Sequence, residues 1–201
     1  MKGFALRASL FCCLLAFLTP FLAHAVGDFP NGSRTYLRSD IGYAVQEDMH
    51  LKAFGSKYRL SAEDGARCDV VFGYRLNSWF SVEAEAGVAW TRLLDYGQHD
   101  YYQVPVLANL AWTYPGEKFR PFVSLGAGGV GLIAAPRNSG PTDKDLVACG
   151  QFATGIQYRF SHHLEAGLGY KLLIVAPASL GYVEMSPNRT HSFFASVRYN
   201  F

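Results

Sequence analysis

Charged side chains recur at alternate positions along this chain of 201 residues. Arg38 stands two before Asp40, and Glu83 two before Glu85. Asp69, Arg75, Arg159, Glu165, Lys171 and Arg198 fall in the same kind of pattern, each on the polar parity of a segment whose other parity is mostly apolar. Successive side chains of a strand point to opposite faces, so a spacing of two keeps such residues on one face. Five of these charges are basic (Arg38, Arg75, Arg159, Lys171, Arg198) and five acidic (Asp40, Asp69, Glu83, Glu85, Glu165). Charges gathered on a shared interior face must be paired. The first chemistry they offer is therefore a structural ion-pair network. The second is a narrow polar path whose charges would tune selectivity for small solutes.

Nucleophilic catalysis would need a Ser and a His on one face. His191 and Ser192 are adjacent and so point to opposite faces of a strand. His162 and His163 lie in a short turn, and His50 and His99 lie in loops with no placed Ser partner. No catalytic residue is assigned. The chain reads as a non-enzyme, with acyl hydrolysis or transfer on lipid as a remote alternative. The histidines lack the spacing of a metal site, so neither metal nor cofactor is expected.

The elements that must position these charges are strands. Tyr36 to Val45, Arg67 to Leu76, Trp79 to Trp90, Tyr101 to Tyr114, Phe119 to Gly131, Val147 to Phe160, Leu164 to Ile174 and Arg189 to Phe201 each alternate with a period of two. The third is the cleanest: Phe80, Val82, Ala84, Ala86, Val88 and Trp90 oppose Ser81, Glu83, Glu85, Gly87 and Ala89. Val82 reads as an apolar-face position at mid-strand. Pro105 falls inside the fourth strand, where a central sheet position resists proline, and a bulge is expected there. Between strands, the connections Gln46 to Ala66, Thr91 to Asp100, Leu132 to Leu146 and Val175 to Asn188 are long. Asn77-Ser78, Pro115 to Lys118 and Ser161 to His163 are short.

The first 25 residues differ from the rest. Lys2 and Arg7 form a basic n-region, Leu10 to Leu22 is mostly apolar, and Ala23-His24-Ala25 is a small-x-small cleavage site. This is the pattern of a secretory signal peptide over residues 1–25, leaving one domain over 26–201. Cys12 and Cys13 fall within it, and Phe11 is too large to precede a lipidated cysteine. Without Lys2 and Arg7 the 18 basic residues become 16, against 16 acidic ones. A balanced chain offers no basic surface, so a nucleic-acid partner is not expected. Cys68 and Cys149 remain, in a compartment that permits a disulfide. They fall on distant strands and on opposite parities, which disfavours a bond. Asn31-Gly32-Ser33 and Asn188-Arg189-Thr190 match the N-glycosylation pattern, which is read as incidental. Twenty glycines, 15% aromatics and no long apolar run after the signal favour many strands over helical spans.

Eight strands joined alternately by long and short connections form the pattern of an all-β, antiparallel, up-and-down transmembrane barrel. About eleven residues is the length a tilted membrane strand needs. Aromatics fall near the strand ends: Tyr36, Trp79, Phe80, Trp112, Tyr114, Phe119, Tyr158, Phe160, Tyr199 and Phe201 by the short turns, and Tyr43, Trp90, Tyr101, Tyr102 and Tyr170 by the long loops. Such rings prefer the membrane boundary. The competing arrangement is a secreted eight-stranded carrier with its apolar face turned in. The charges, glycines and alanines on the polar parity disfavour it, because they suit a crowded lumen better than a solvated exterior.

The chain also resembles the OmpA-like/Opa-like outer-membrane β-barrel family. The resemblance rests on Tyr36-Leu37-Arg38-Ser39-Asp40-Ile41-Gly42-Tyr43, on Gln103-Val104-Pro105-Val106 with Asn109, on Arg120-Pro121-Phe122-Val123 before Gly126-Ala127-Gly128, and on the terminal Tyr199-Asn200-Phe201. It implies a bacterial outer-membrane location and a structural or surface-interaction role. It also implies that Tyr199 and Phe201 act as the signal read by the barrel-assembly machinery. The expected partners are outer-membrane lipid, that machinery and a surface ligand on the long loops. A monomer is expected, without the peptidoglycan-binding domain of some relatives.

Overall fold

The computed structural model describes residues 34–53, 56–60, 62–93, 99–136, 143–180 and 183–201. The expected signal peptide and its cleavage site lie outside them. Every element among the described residues is a strand: β1 Thr35–Gln46, β2 Met49–Ala53, β3 Ser56–Leu60, β4 Ala62–Arg75, β5 Phe80–Leu93, β6 His99–Thr113, β7 Phe119–Pro136, β8 Asp143–Arg159, β9 Leu164–Val175, β10 Ala178–Leu180, β11 Val183–Met185 and β12 Asn188–Asn200. Eight of them close an antiparallel barrel in the order β1-β12-β9-β8-β7-β6-β5-β4. Closure removes every sheet edge, which a lipid environment demands because it can satisfy no free backbone group.

The apolar parity faces out. Ile41, Val106, Leu125, Leu168 and Phe193 are among the most exposed residues, while Arg38, Asp69, Glu85 and Lys171 are buried. This is the reverse of a water-soluble carrier. At the short-turn end the rings form a nearly continuous belt. Trp79 stacks on Trp112 at 5.8 Å and meets Tyr114 edge-on at 5.7 Å. Tyr158 contacts Phe119 at 5.2 Å and Phe160 at 4.9 Å, and Tyr199 contacts Phe201 at 5.5 Å. The turns are held locally. Asn77 Oδ1 accepts the N–H of Trp79 and of Phe80, both at 2.8 Å, and Ser161 Oγ accepts the N–H of Leu164 at 3.1 Å.

The structure corrects the sequence reading in several places. Tyr36 and Tyr101, expected in the aromatic belts, are 1% and 0% exposed and point inward. Each lies on the parity of its strand's polar residues, and strand position alone had suggested the boundary. Val82 lies two residues from the start of β5, near the belt rather than at mid-depth. Pro105 makes no bulge. Ala86 pairs with Val106 and Ala89 with Gln103 in one register, and toward β7 the ladder runs unbroken through the Pro105–Val130 pair. The missing proline N–H interrupts only the β5 side. A register shift occurs instead in β4, between Glu63 and Ala66.

The long connections are also more ordered than expected. β4 begins at Ala62, β7 continues to Pro136, and β8 begins at Asp143, so the β7–β8 pair is 18 and 17 residues long. That exceeds the 9–11 or so residues needed to span a bilayer, so the hairpin projects beyond it. The first and last long connections supply β2, β3, β10 and β11, which form a second sheet in the order β10-β11-β2-β3. It lies beyond the end of the β1–β12 ladder.

Candidate functional site

The barrel interior is the place where chemistry-bearing residues converge. Its middle is built on Lys171, which is fully buried. Its Nζ lies 2.8 Å from Asp40 Oδ2, 2.7 Å from Asp69 Oδ2 and 2.7 Å from Glu85 Oε1. Asp40 and Asp69 face each other directly across the β1–β4 ladder, a like-charge pair that the ammonium bridges. Arg67 donates Nε to Asp69 at 2.9 Å and NH2 to Glu85 at 3.1 Å and to Gln151 Oε1 at 2.6 Å. Arg38 donates Nε to Asp40 at 3.0 Å and NH1 to Glu83 at 3.2 Å. Asn109 and Gln151 donate to the remaining oxygen of Glu85 at 2.9 and 2.8 Å. Two inward aromatics complete the layer. The Lys171 ammonium lies 5.0 Å from the Phe194 ring centroid, and the Arg38 guanidinium 5.6 Å from that of Phe122.

The short-turn end is different. Four arginines share one buried carboxylate there. Glu165 Oε1 lies 2.6 Å from Arg120, 3.5 Å from Arg159 and 3.9 Å from Arg75, and its Oε2 lies 3.5 Å from Arg198. Arg198 also reaches Glu83 at 3.8 Å. Tyr36 stands between the two layers. Its hydroxyl donates to Glu83 Oε1 at 2.5 Å, and its ring lies under Arg198 at 4.1 Å and under Arg75 at 5.4 Å. Gly73 makes room for that ring, since a Cβ there would stand 2.1 Å from Tyr36 Cζ.

Among the described residues, the long-loop end of the lumen carries no such charges. Thr190 Oγ1 lies 2.7 Å from Gln46 Oε1 and 2.9 Å from Gln103 Oε1. Beside them Tyr101, Leu107, Val130, Leu132, Leu173, Val175 and Met185 pack into an apolar cluster with Cys149. Neither Cys68 nor Cys149 is in a disulfide.

All ten of the charges expected in the lumen take part in these contacts, with Arg75 and Arg159 at its rim. Two further residues belong with them, Arg67 and Arg120. Both lie on the inward parity of their strands: Arg67 stands two before Asp69, and Arg120 two before Phe122, which the structure buries. Arg67 lay at an assumed strand start, and the prolines and glycines of β7 obscured its alternation. With them the described lumen charges are seven basic and five acidic, so the expected balance does not hold. His191 and Ser192 do point apart. Ser192 is buried in the lumen, while the His191 ring lies 2.6 Å from Tyr170 OH and 2.9 Å from Glu47 Oε1 on the other face. No cluster of His, Cys, Asp and Glu suited to a metal ion occurs among the described residues.

Comparison with known proteins agrees with this geometry. The neisserial surface protein A structure shares 14% identity over 85% of this chain and 99% of its own, with a TM-score of 0.62. The outer membrane protein OprG of Pseudomonas aeruginosa shares 14% identity over 87% and 99%, with a TM-score of 0.60. The outer membrane protease OmpT of Escherichia coli shares 9% over 88% and 99%, with a TM-score of 0.52. At these identities the likeness is one of fold. No curated protein matches the chain. Residues 9–201 match the outer membrane protein beta-barrel domain, and with the apolar exterior, the aromatic belt and the closed eight-stranded sheet, the chain belongs to that family.

Proposed function

We propose that this chain is a structural and surface-interaction barrel of the bacterial outer membrane whose lumen is closed by its own charges. The observation that carries the reading is Lys171 locked among Asp40, Asp69 and Glu85, with Arg38 and Arg67 bracing the same carboxylates. Eight strands leave an interior just wide enough for side chains to fill. An ion crossing this layer would have to break contacts of 2.7–2.8 Å at full burial. Planar-bilayer recording of the refolded barrel tests the reading. It predicts no steady conductance and only rare, small events. Regular openings would make the narrow channel the better function and the charges its selectivity filter.

Contact with the outside falls to the long-loop end, where the second sheet and the projecting β7–β8 hairpin stand clear of the bilayer. The barrel reaches the membrane as a monomer through a cleaved signal peptide over residues 1–25. Tyr199 and Phe201, in the belt beside the terminal ladder, present its assembly signal. The role is non-enzymatic. The His191 ring is already engaged by Tyr170 and Glu47, and Ser192 opens to the opposite face.

A further inference from the structure

The imbalance of charge along the lumen has a place where it can be answered. At the short-turn mouth a cavity of about 410 Å³ opens among Arg34, Arg75, Arg159, His162, His163 and Asn200. It has room for the liquid volume of roughly a dozen waters. Arg120 and Arg198 stand behind it, both buried, and both reach Glu165, which lines the cavity. The Nε of Arg120 and the Nε of Arg198 have no hydrogen-bond partner. Glu165, together with Glu83 at 3.8 Å from Arg198, sets two side-chain carboxylates against the guanidiniums of Arg34, Arg75, Arg120, Arg159 and Arg198. Arg34 is exposed, but the other four are buried or half-buried, and cations in such excess call for an anion. Guanidinium forks match planar and tetrahedral oxyanions by paired N–H donors.

We propose that this mouth is a binding site for a phosphate-type oxyanion, coordinated by Arg75 and Arg159 at the rim and drawn in by the arginines behind them. The Arg75 NH2 is held at 2.6 Å by Asn200 Oδ1, and the Arg159 Nε at 3.5 Å by Glu165. Each fork is therefore oriented from one side and keeps other donors for a ligand. In the orientation proposed above, the mouth opens to the periplasm and to the inner-leaflet headgroups. A free phosphate and a lipid phosphate offer the same chemistry. The site does not depend on whether the lumen conducts.

The test uses the folded barrel in a non-ionic maltoside detergent. Inorganic phosphate is titrated in at constant ionic strength, against a chloride control, and backbone amide shifts are read. We expect saturable shifts at Asn77, Ser78, His162, His163 and Asn200, with a Kd on the order of 1 mM. The double variant Arg75→Gln/Arg159→Gln weakens binding tenfold or more. Arg92→Gln, whose contacts are with Glu63 and the Trp90 ring at the far end, leaves it unchanged. Nanodiscs separate the two sources. If phosphatidylglycerol, but not phosphatidylcholine, reproduces the shifts and blocks further titration, the ligand is a headgroup; if neither does, it is a free oxyanion. Shifts that never saturate, that persist in the double variant, or that centre on the long-loop end would overturn the site. Where the double variant does not fold, the wild-type shift map decides alone.

Discussion

Replacing Lys171 by Met tests the lumen most directly. At an effective dielectric of about 20, each of its three contacts at 2.7–2.8 Å is worth about 6 kcal/mol before desolvation is counted. Burying the ammonium and three carboxylates offsets most of that sum. Removing one member of a buried ionic cluster leaves a net loss of about 3–5 kcal/mol. With a urea dependence of about 2 kcal/mol per molar, the unfolding midpoint should fall by about 1.5–2.5 M. Tryptophan fluorescence of Trp79, Trp90 and Trp112 in lipid vesicles would follow the transition, with the unboiled gel shift as a check on folding. The reasoning makes a second, sharper demand. Lys171→Met leaves Asp40, Asp69 and Glu85 facing only Arg38 and Arg67. Adding Glu85→Gln restores equal numbers, so the double variant should be more stable than Lys171→Met alone. A midpoint unchanged by Lys171→Met, or losses that simply add, would refute a network held by charge balance.

Other outcomes follow from the geometry. Val106→Arg, outward and central in β6, should cost about 2–4 kcal/mol of membrane stability. Val82→Arg, close to the aromatic belt, should cost only about 0–1 kcal/mol, and equal losses in a vesicle unfolding assay would contradict the assigned depths. Tyr36→Phe removes the donor to Glu83 and should cost about 1–3 kcal/mol by the same assay; a neutral result would mean that the buried carboxylate needs no phenol. Deleting Phe201 should lower the yield of assembled barrel in outer-membrane fractions, and unchanged yield would remove its role as a signal.

The barrel was legible because lipid enforces a strict period of two. One slip would turn Val104, Val106 and Leu110 into the lumen, so the pattern had to be clean. The lumen was legible only in part. Parity gave the side of Asp69 and Lys171 but could not show that both meet at one point, because β4 and β9 are distant in sequence and not adjacent in the ring. Arg67 and Arg120 carried the right parity and were missed at a strand start and in a glycine-rich strand. Tyr36 and Tyr101 were misplaced because an aromatic near a strand end looks the same whether it faces lipid or fills the lumen. The small second sheet gave no signal at all. Its strands are 3 to 5 residues long, too short for alternation to rise above chance.

That second sheet bears on how the barrel closes. The β1–β12 seam joins the two ends of the domain, the pairing of greatest sequence separation and so the slowest to find. The same two ends pair again beyond the membrane. Gln46 Nε2 donates to the Arg189 carbonyl at 3.1 Å, the Glu47 N–H donates to that carbonyl at 3.0 Å, and β2 pairs β11 through Lys52–Glu184 and Leu51–Met185. Once the seam has formed, these partners are already neighbours, and joining them adds little loop-closure entropy. The outer pairing is thus a clasp on the one ladder from which the barrel could unzip. It should slow opening more than it speeds closing.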